Sequence, residues 1–191
     1  TVPAGTPCGS ALSLTLNVSS SIGPFSVIRQ IIVGQPIATF TENFDGVVVP
    51  SVPAGWASTV LQSGIAFATT TVSPDSGTTA AFALDPETVG GGTDLTSLPV
   101  AITSPAATVS FRHRFDTEGG WDGGSLEISI GGAGFQEFIG AGGSFIQNGY
   151  NGTLGNGTNN PLANRAAWSG SSNGYITTTA LLPPVAAGQN V

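Results

Sequence analysis

The sequence Val-Ser-Phe-Arg-His-Arg-Phe at residues 109–115 runs into Asp-Thr-Glu-Gly-Gly-Trp-Asp-Gly-Gly at 116–124 and then Ser-Leu-Glu-Ile-Ser-Ile at 125–130. Apolar side chains alternate with polar ones in the first and third segments, which is the period of a half-buried β-strand. The middle segment is acidic and rich in glycine, and glycine tolerates backbone angles that other residues resist. These residues therefore predict two antiparallel strands joined by an acidic loop.

The acidic loop carries Asp116, Glu118 and Asp122, three carboxylates within seven residues. Ca²⁺ takes about six to eight oxygen ligands from carboxylates and backbone carbonyls, so such a loop suits this cation. Asp85 and Glu87 are outer candidate ligands if their own loop folds over this one. Asp and Gly are also common turn residues, so an alternative is that these carboxylates are solvated turn residues without a metal. Both interpretations stay open.

Composition indicates an all-β fold. The chain has 191 residues, of which 40% are hydrophobic, and this is enough to form the core of a large β domain. Its 28 glycines and 13 prolines, without a sustained helical period, are typical of short strands joined by turns. Glycine-rich residues 90–94 and the long segment 140–161 are predicted as loops, the second of them an exposed loop or a binding edge.

Charge excludes several classes of partner. The chain has four Arg, no Lys and eleven acidic residues, which gives a net charge of -7. Binding to nucleic acid or to an anionic membrane surface would need a basic stripe that four scattered arginines cannot form. No apolar run has the length of a membrane span, so membrane insertion is not expected. The lack of Met is compatible with export and removal of a leader, and the lone Cys8 cannot form an internal disulfide.

The N-terminal segment predicts a β-hairpin. Leucine and valine alternate strictly with polar residues at 12–18, a turn follows, and residues 25–33 form a returning strand. A hairpin alone is marginally stable in water, so it must pack on the rest of the chain or on another copy. Residues 1–35 are thus predicted to be a strand hairpin or interaction arm, with possible self-association through residues 9–33, and residues 36–191 a β-sandwich.

Several spaced motifs support a more specific interpretation. Phe-Arg-His-Arg-Phe-Asp-Thr-Glu-Gly-Gly-Trp-Asp-Gly-Gly-Ser-Leu-Glu-Ile-Ser at 111–129 is preceded by Ala-Phe-Ala-Leu-Asp-Pro at 81–86. It is followed by Asn-Pro-Leu at 160–162 and Ala-Trp-Ser-Gly at 167–170. This run resembles the accessory jelly-roll module of immune inhibitor A-type secreted bacterial metallopeptidases and is similar to the wider MAM-like β-sandwich group. The resemblance covers about residues 40–191.

The resemblance implies an antiparallel jelly-roll β-sandwich that is a noncatalytic attachment to a secreted or cell-surface bacterial protein. Such modules usually continue into a further strand with a Trp-Tyr-Ile-Asp-Asp-like motif, which this sequence lacks, so the C-terminal strand is expected to be missing. Residues 1–34 look like the closing hairpin of an immunoglobulin-like domain.

Catalysis is not expected. His113 is the only histidine, and Phe111 and Phe115 flank it on one face, so it is predicted to be a core residue. One His and one distant Cys do not make a zinc site, and no Gly-x-Ser-x-Gly elbow is present. Paired carboxylates without a cleft lined by aromatic residues do not indicate a glycosidase. Trp121, in the acidic loop, is the tryptophan expected to be exposed and able to stack on a sugar ring.

Two functions follow from these patterns. The first is a noncatalytic extracellular or cell-surface β-sandwich module for adhesion or substrate attachment, stabilised by Ca²⁺, with a carbohydrate or protein ligand. The alternative is a structural subunit of a self-assembling extracellular filament. In that case the strand at residues 12–18 of one chain would complete the sheet of the next by strand addition.

Overall fold

The computed structural model describes residues 6–7, 9–34, 37–85, 90–156 and 160–191. The described chain is built from short antiparallel β-strands and one short 3-10 helix. The predictions of an all-β fold and an N-terminal hairpin are confirmed. The jelly-roll order of the strands stays a prediction.

The strands fall into an N-terminal hairpin and a sandwich. The strands are β1 Ala11–Ser20, β2 Gly23–Ile32, β3 Ala57–Gln62, β4 Ala68–Thr70, β5 Ala80–Phe82, β6 Gly91–Thr96, β7 Thr108–His113, β8 Gly123–Gly124, β9 Glu127–Ile128, β10 Gln136–Glu137, β11 Ser144–Gln147, β12 Gly152–Thr153, β13 Ala166–Ser169 and β14 Ile176–Leu181. The 3-10 helix is Pro184–Ala186. No helix among the described residues is long and apolar enough to cross a membrane.

One sheet of the sandwich has the strand order β11-β14-β7. Its central strand, β14, pairs with β7 from Ile176 opposite His113 to Leu181 opposite Thr108. A core cluster lies where this sheet meets the chain segments around residues 100–102 and 128. Its buried members are Ile102, Ile128, Phe138, Ala180, Leu182 and Ala186. The fold is therefore held by apolar side chains that several distant segments contribute.

The end of the chain enters the sandwich as an extended segment. Val100 and Val191 exchange two backbone hydrogen bonds of 2.8 and 3.0 Å, and Ala101 lies opposite Asn190. On the other side, the N–H of Gly131 donates to the carbonyl of Asn190 at 2.8 Å. Residues 189–191 thus pair with residues 100–102 on one side and contact the turn at Gly131 on the other.

A second three-stranded sheet has the order β12-β13-β8. Trp168 and Ser169 of β13 lie opposite Gly124 and Gly123 of β8. Because β8 directly follows the acidic loop, this pairing holds the loop against β13.

The prediction of a loop at residues 90–94 is wrong. Gly91 to Thr96 form β6, which pairs with β3 along its whole length. A Cβ atom added to Gly91 would lie 2.7 Å from the backbone N of Gly64, so glycine allows two backbones to approach closely here. The glycines mark close packing rather than a turn.

The prediction that residues 140–161 form one long loop is also wrong. This segment contains β11, which pairs with β14, and β12, which pairs with β13. A Cβ atom added to Gly143 would lie only 2.5 Å from the ring of Phe138, so this position has no room for a side chain. Glycine in this segment again allows close packing, which a pattern based on turn residues does not detect.

Candidate functional site

The acidic loop between β7 and β8 closes into a tight turn. The backbone N–H groups of Trp121 and Asp122 both donate to the carbonyl of Glu118, at 3.0 and 2.9 Å. Gly120 has a φ of 81°, a conformation that residues with a side chain rarely adopt. The predicted loop is confirmed at residues 116–122, whereas Gly123 and Gly124 form β8.

Strand β13 holds the loop in place through one hydroxyl group. Ser169 Oγ donates to the carbonyl of Asp122 at 2.6 Å and accepts the N–H of Gly120 at 2.8 Å. Thr117 Oγ1 donates to the same carbonyl of Asp122 at 3.1 Å. The carbonyls of Asp122 and Glu118 are therefore already engaged inside the protein, and the loop has a fixed shape.

Three of the predicted carboxylates, Asp85, Glu118 and Asp122, interact electrostatically. Partial burial raises the pKa of Asp122 above its usual value, and the negative charges of Asp85 and Glu118 raise it further. Asp85 therefore lies within electrostatic range of Asp122, and its role as a calcium ligand stays a prediction. Asp116 lies elsewhere, in a β-bridge with Ser171. The remaining candidate, Glu87, lies outside the described residues.

These carboxylates do not form a ready metal centre. Among the residues that the structure describes, no group of three or more His, Cys, Asp or Glu is arranged to hold a metal ion. Ca²⁺ would need about six to eight oxygens, and two backbone carbonyls of the loop are occupied by hydrogen bonds. The described residues therefore do not fit a preformed Ca²⁺ site, and calcium binding by this loop stays a prediction.

His113 lies in an aromatic cluster, as predicted. Its Nε2 is 2.8 Å from Thr178 Oγ1, and that hydroxyl donates to the carbonyl of Asn148 at 2.8 Å. Because the Thr178 hydroxyl donates its hydrogen bond to the carbonyl of Asn148, it accepts a hydrogen bond from the Nε2–H of His113. Burial lowers the pKa of His113 and so favours the neutral ring. The aromatic rings in this cluster are Phe111, His113, Phe115, Phe145, Tyr150 and Trp168.

The three tryptophans differ in exposure, and Trp121 is 41% exposed. Trp168 is only 5% exposed, and its indole N–H donates to the carbonyl of Asn148. Trp56 packs against the rings of Phe40 and Phe44. The predicted exposure of Trp121 is confirmed, and carbohydrate stacking on it stays a prediction.

Asp45 has a structural role that the sequence patterns did not indicate. Its Oδ1 accepts the backbone N–H groups of Thr78 at 2.7 Å and Thr79 at 2.9 Å. Thr79 Oγ1 also donates to the carbonyl of Phe44 at 2.6 Å. Asp45 therefore joins the start of the sandwich to the segment just before β5, a contact between residues too far apart in sequence for a local pattern.

The hairpin presents one apolar face. Cross-strand partners share a face of a sheet, and the register pairs leucine or valine on β1 with apolar residues on β2 and with Arg29. These pairs are Leu12 with Ile31, Leu14 with Arg29, Leu16 with Val27 and Val18 with Phe25. We call them the hairpin apolar face.

Large side chains of the hairpin apolar face are exposed. Leu14 is 54% exposed, Leu16 62%, Phe25 53% and Ile31 46%. The described part of the chain therefore leaves much of this face uncovered.

The opposite face of the hairpin bonds to itself. Gln30 Nε2 donates to Ser13 Oγ at 2.8 Å, and Ser26 Oγ donates to Asn17 Oδ1 at 2.5 Å. On this face, Ala11, Ile28 and Ile32 line a shallow cleft with β11, and Ile28 is 61% exposed. Polar groups are thus satisfied on one face, while the other face has an excess of apolar surface.

Comparisons with known proteins identify no family. A scan against protein-family models, a search of curated proteins and a search of solved structures find no match. The resemblance to MAM-like jelly-roll modules stays a prediction.

Proposed function

We propose that this chain is a noncatalytic architectural module of a secreted or cell-surface protein, and that copies associate with one another through the hairpin apolar face. The observation that carries this proposal is the exposure of Leu14, Leu16, Phe25 and Ile31 on one face of β1 and β2. Four large apolar side chains in water do not stabilise a monomer, whereas their burial in an interface stabilises an assembly.

The size of the exposed face indicates a weak contact. These four residues expose on the order of 400 Å² in total, which is within the range of apolar patches that are often functional. Two such faces in contact would bury roughly 800 Å², less than the about 1,200 Å² of a stable interface. The hairpin apolar face alone therefore supports reversible association, and a lasting assembly needs further contacts.

The noncatalytic part of the proposal is supported by two polar side chains that are already engaged in structural hydrogen bonds. His113 is engaged with Thr178 among aromatic rings, and Asp45 is engaged with Thr78 and Thr79. The location outside the cell rests on the resemblance to accessory modules of secreted proteins, as does the jelly-roll order of the strands.

A second candidate function is adhesion to a carbohydrate or protein ligand by a Ca²⁺-stabilised module. The specific observation that favours it is the concentration of negative charge where Asp85 and Glu118 lie near Asp122. A bound cation would offset this repulsion, and Trp121 in the same loop supplies an exposed ring.

Sedimentation velocity of the purified 191-residue chain over a range of concentrations tests the first proposal. We expect a weight-average mass that rises with concentration, and a loss of this rise in the double variant Leu14→Thr/Leu16→Thr. Threonine keeps a high β propensity, so the hairpin should still form. The matched control is Thr15→Ser on the opposite face, which should associate like the unchanged chain. A monomer at every concentration, or association that the double variant retains, would contradict the proposal.

A further inference from the structure

We infer that the cleft between the end of β7 and the bend before β14 binds an acidic sugar, a monosaccharide unit with one carboxylate and several hydroxyl groups. In this inference Arg114 binds the carboxylate, while Asp116 and Asn173 bind hydroxyl groups beside it. The inference goes beyond association through the hairpin apolar face, because no residue of the hairpin lines this cleft. It also assigns a sugar site that uses neither Trp121 nor a calcium ion.

The cleft forms where two paired segments of the chain differ in length. His113 lies opposite Ile176 at the end of β7, and Asp116 lies opposite Ser171 in a β-bridge. Three residue steps, from 113 to 116, therefore face five steps, from 171 to 176, so the second segment has two extra residues. A bend at Asn173, which has a φ of 54°, accommodates them. Irregularities of this kind redirect side chains and are frequent beside active sites.

Hydrogen bonds fix the wall of the cleft. The N–H of Phe115 donates to Ser172 Oγ at 3.0 Å, and the N–H of Ser172 donates to the carbonyl of Phe115 at 2.9 Å. Ser172 Oγ also donates to the carbonyl of Gly174 at 2.8 Å. The cleft has a volume of about 230 Å³, which is below the about 300 Å³ of the smallest typical ligand pockets and suits a single sugar unit. Its lining residues include Arg114, Asp116, Ser171 and Asn173.

Arg114 is an arginine whose donors are not engaged by the fold. Arg112, two residues earlier and beside the same Tyr175 ring, donates from Nε and Nη2 to the carboxylate of Asp75 at 2.8 and 2.7 Å. Among the residues that the structure describes, Arg114 forms neither an ion pair nor a side-chain hydrogen bond. Its side chain is exposed at the cleft, so its N–H groups are available to an anionic ligand.

Tyr175 positions the guanidinium of Arg114. The guanidinium carbon lies 5.9 Å from the centre of the Tyr175 ring, a cation–π contact. The ring itself is held by its hydroxyl group, which donates to the carbonyl of Ser73 at 3.0 Å. A positioned guanidinium presents a planar fork of N–H groups that matches the two oxygens of a carboxylate. Because the side chain loses less freedom on binding, this arrangement favours affinity.

Asp116 determines the class of anion that fits. Its carboxylate lines the same cleft, is exposed, and has no side-chain hydrogen bond or ion pair within the described ranges. A carboxylate accepts hydrogen bonds from hydroxyl groups and is unfavourable beside a second negative group. A phosphate or sulfate group, with charged oxygens on several sides, therefore fits less well than one carboxylate next to hydroxyl groups. The net charge of -7 also disfavours a polyanion.

An acidic sugar carries both kinds of group on one small ring. Its carboxylate matches Arg114, and its hydroxyl groups can donate to Asp116. The side-chain amide of Asn173, which has no hydrogen-bond partner in the described part of the chain, can both donate to and accept from a hydroxyl group. A peptide C-terminus also has a single carboxylate, but it lacks the neighbouring hydroxyl groups. The acidic sugar is therefore the ligand class that uses all three side chains.

A titration of the 191-residue chain in chelator, followed by proton–nitrogen NMR, tests this inference. The probes are D-galacturonate and D-glucuronate, with D-galactose and D-glucose as rings without a carboxylate and acetate as a carboxylate without a ring. We expect amide signals of Phe115, Asp116 and residues 171–174 to shift with saturation for at least one uronate, with an affinity in the millimolar range. The neutral sugars and acetate should bind at least about tenfold more weakly.

Three variants identify the groups that bind the sugar. Arg114→Gln should lower the uronate affinity by at least about tenfold, because it removes hydrogen bonds to a charged group. The matched control Arg112→Gln changes the net charge equally beside the same ring, but it should keep the affinity, because Arg112 is already bonded to Asp75. Asp116→Asn should lower the uronate affinity and leave the acetate affinity equal or higher. Signals of β3 and β6 that stay in place show that each variant is folded.

Absence of a saturable shift with both uronates would overturn the inference, and so would an unchanged uronate affinity in Arg114→Gln. If acetate binds as tightly as the uronate, the cleft recognises a carboxylate alone and the acidic sugar is the wrong ligand class. These results would leave the proposed function untouched, since sedimentation tests association through the hairpin apolar face separately.

Discussion

Asp45 Oδ1 accepts the backbone N–H of Thr79 at 2.9 Å, across 34 positions of sequence. The same oxygen accepts the N–H of Thr78 at 2.7 Å. Backbone hydrogen bonds from these two residues lower the pKa of Asp45 below its usual value of 3.8. The ionised carboxylate therefore stabilises the folded state.

Replacement of Asp45 should lower stability and flatten its dependence on acid. Since the pKa of Asp45 is lower in the folded state, its contribution is present above pH 3.8 and is lost as the pH falls through the folded-state pKa. We expect Asp45→Ala to lower the thermal midpoint by a few degrees at neutral pH, and Asp45→Asn to lower it less. Thermal unfolding followed by circular dichroism between about pH 6 and pH 2 measures both effects. An unchanged midpoint and acid profile in Asp45→Ala would contradict this role.

Phe138 should contribute more to stability than any exposed phenylalanine. Its side chain is 1% exposed in the core cluster, whereas Phe135, three residues earlier, is 55% exposed. Removal of a buried ring leaves a cavity, so Phe138→Ala should cost about 3–5 kcal/mol of unfolding free energy. The control Phe135→Ala should change it by less than about 1 kcal/mol. Urea denaturation measures the difference, and equal effects of the two variants would show that the core is placed wrongly.

Thr178 should be more sensitive to substitution than its neighbour Thr179. In Thr178→Val, the Nε2 of His113 loses its hydroxyl partner, whereas the carbonyl of Asn148 keeps the indole N–H of Trp168. A buried polar group without a partner costs about 1–3 kcal/mol, so this variant should be clearly less stable. Thr179→Val removes only an exposed contact with Ser110 and serves as the control. The account of the His113 cluster fails if chemical denaturation finds both variants equally stable.

Calcium should raise the thermal midpoint if the acidic loop binds it. The pKa of Asp122 is raised in the folded state, so protonation of this carboxyl stabilises the folded protein. This stabilisation is fully present below pH 3.8 and is lost as the pH rises through the folded-state pKa. In chelator at neutral pH, Asp122→Asn should therefore be as stable as the unchanged chain or slightly more stable. With calcium, the unchanged chain should gain a few degrees and Asp122→Asn should not.

Asp116→Asn provides a comparison for the calcium measurement. Asp116 lies beside Ser171 and does not contribute to the raised pKa of Asp122, so this variant should keep most of the calcium response. If calcium and chelator leave the midpoint of the unchanged chain the same, the calcium prediction is wrong.

The alternation of apolar and polar residues correctly predicted strands in two parts of the chain. Strict alternation at residues 12–18 corresponds to β1, and Phe111 and His113 lie on one face of β7, with Phe115 just beyond it in the same aromatic cluster. The same reasoning failed where glycine is used for close packing, as at Gly91 beside Gly64. A sequence pattern does not distinguish a glycine that turns the chain from one that allows two strands to approach.

Contacts between distant segments could not be predicted from local sequence patterns. The sequence patterns proposed Asp85, Glu118 and Asp122 as candidate ligands, and in the structure the charges of Asp85 and Glu118 act on Asp122. The contacts of Asp45 with Thr79 and of Arg165 with Glu127 join distant segments, so no local signal indicated them. The exposure of Leu14 and Leu16 depends on whether another segment covers them, which alternation alone does not determine.

Amide hydrogen exchange of the chain at low and high concentration tests the central claim, association through the hairpin, most directly. The account predicts that amides of β1 become more protected at high concentration, whereas amides of β13 and β14 exchange at the same rate at both concentrations. Protection that is independent of concentration in β1, or that rises only in the sandwich strands, would contradict it.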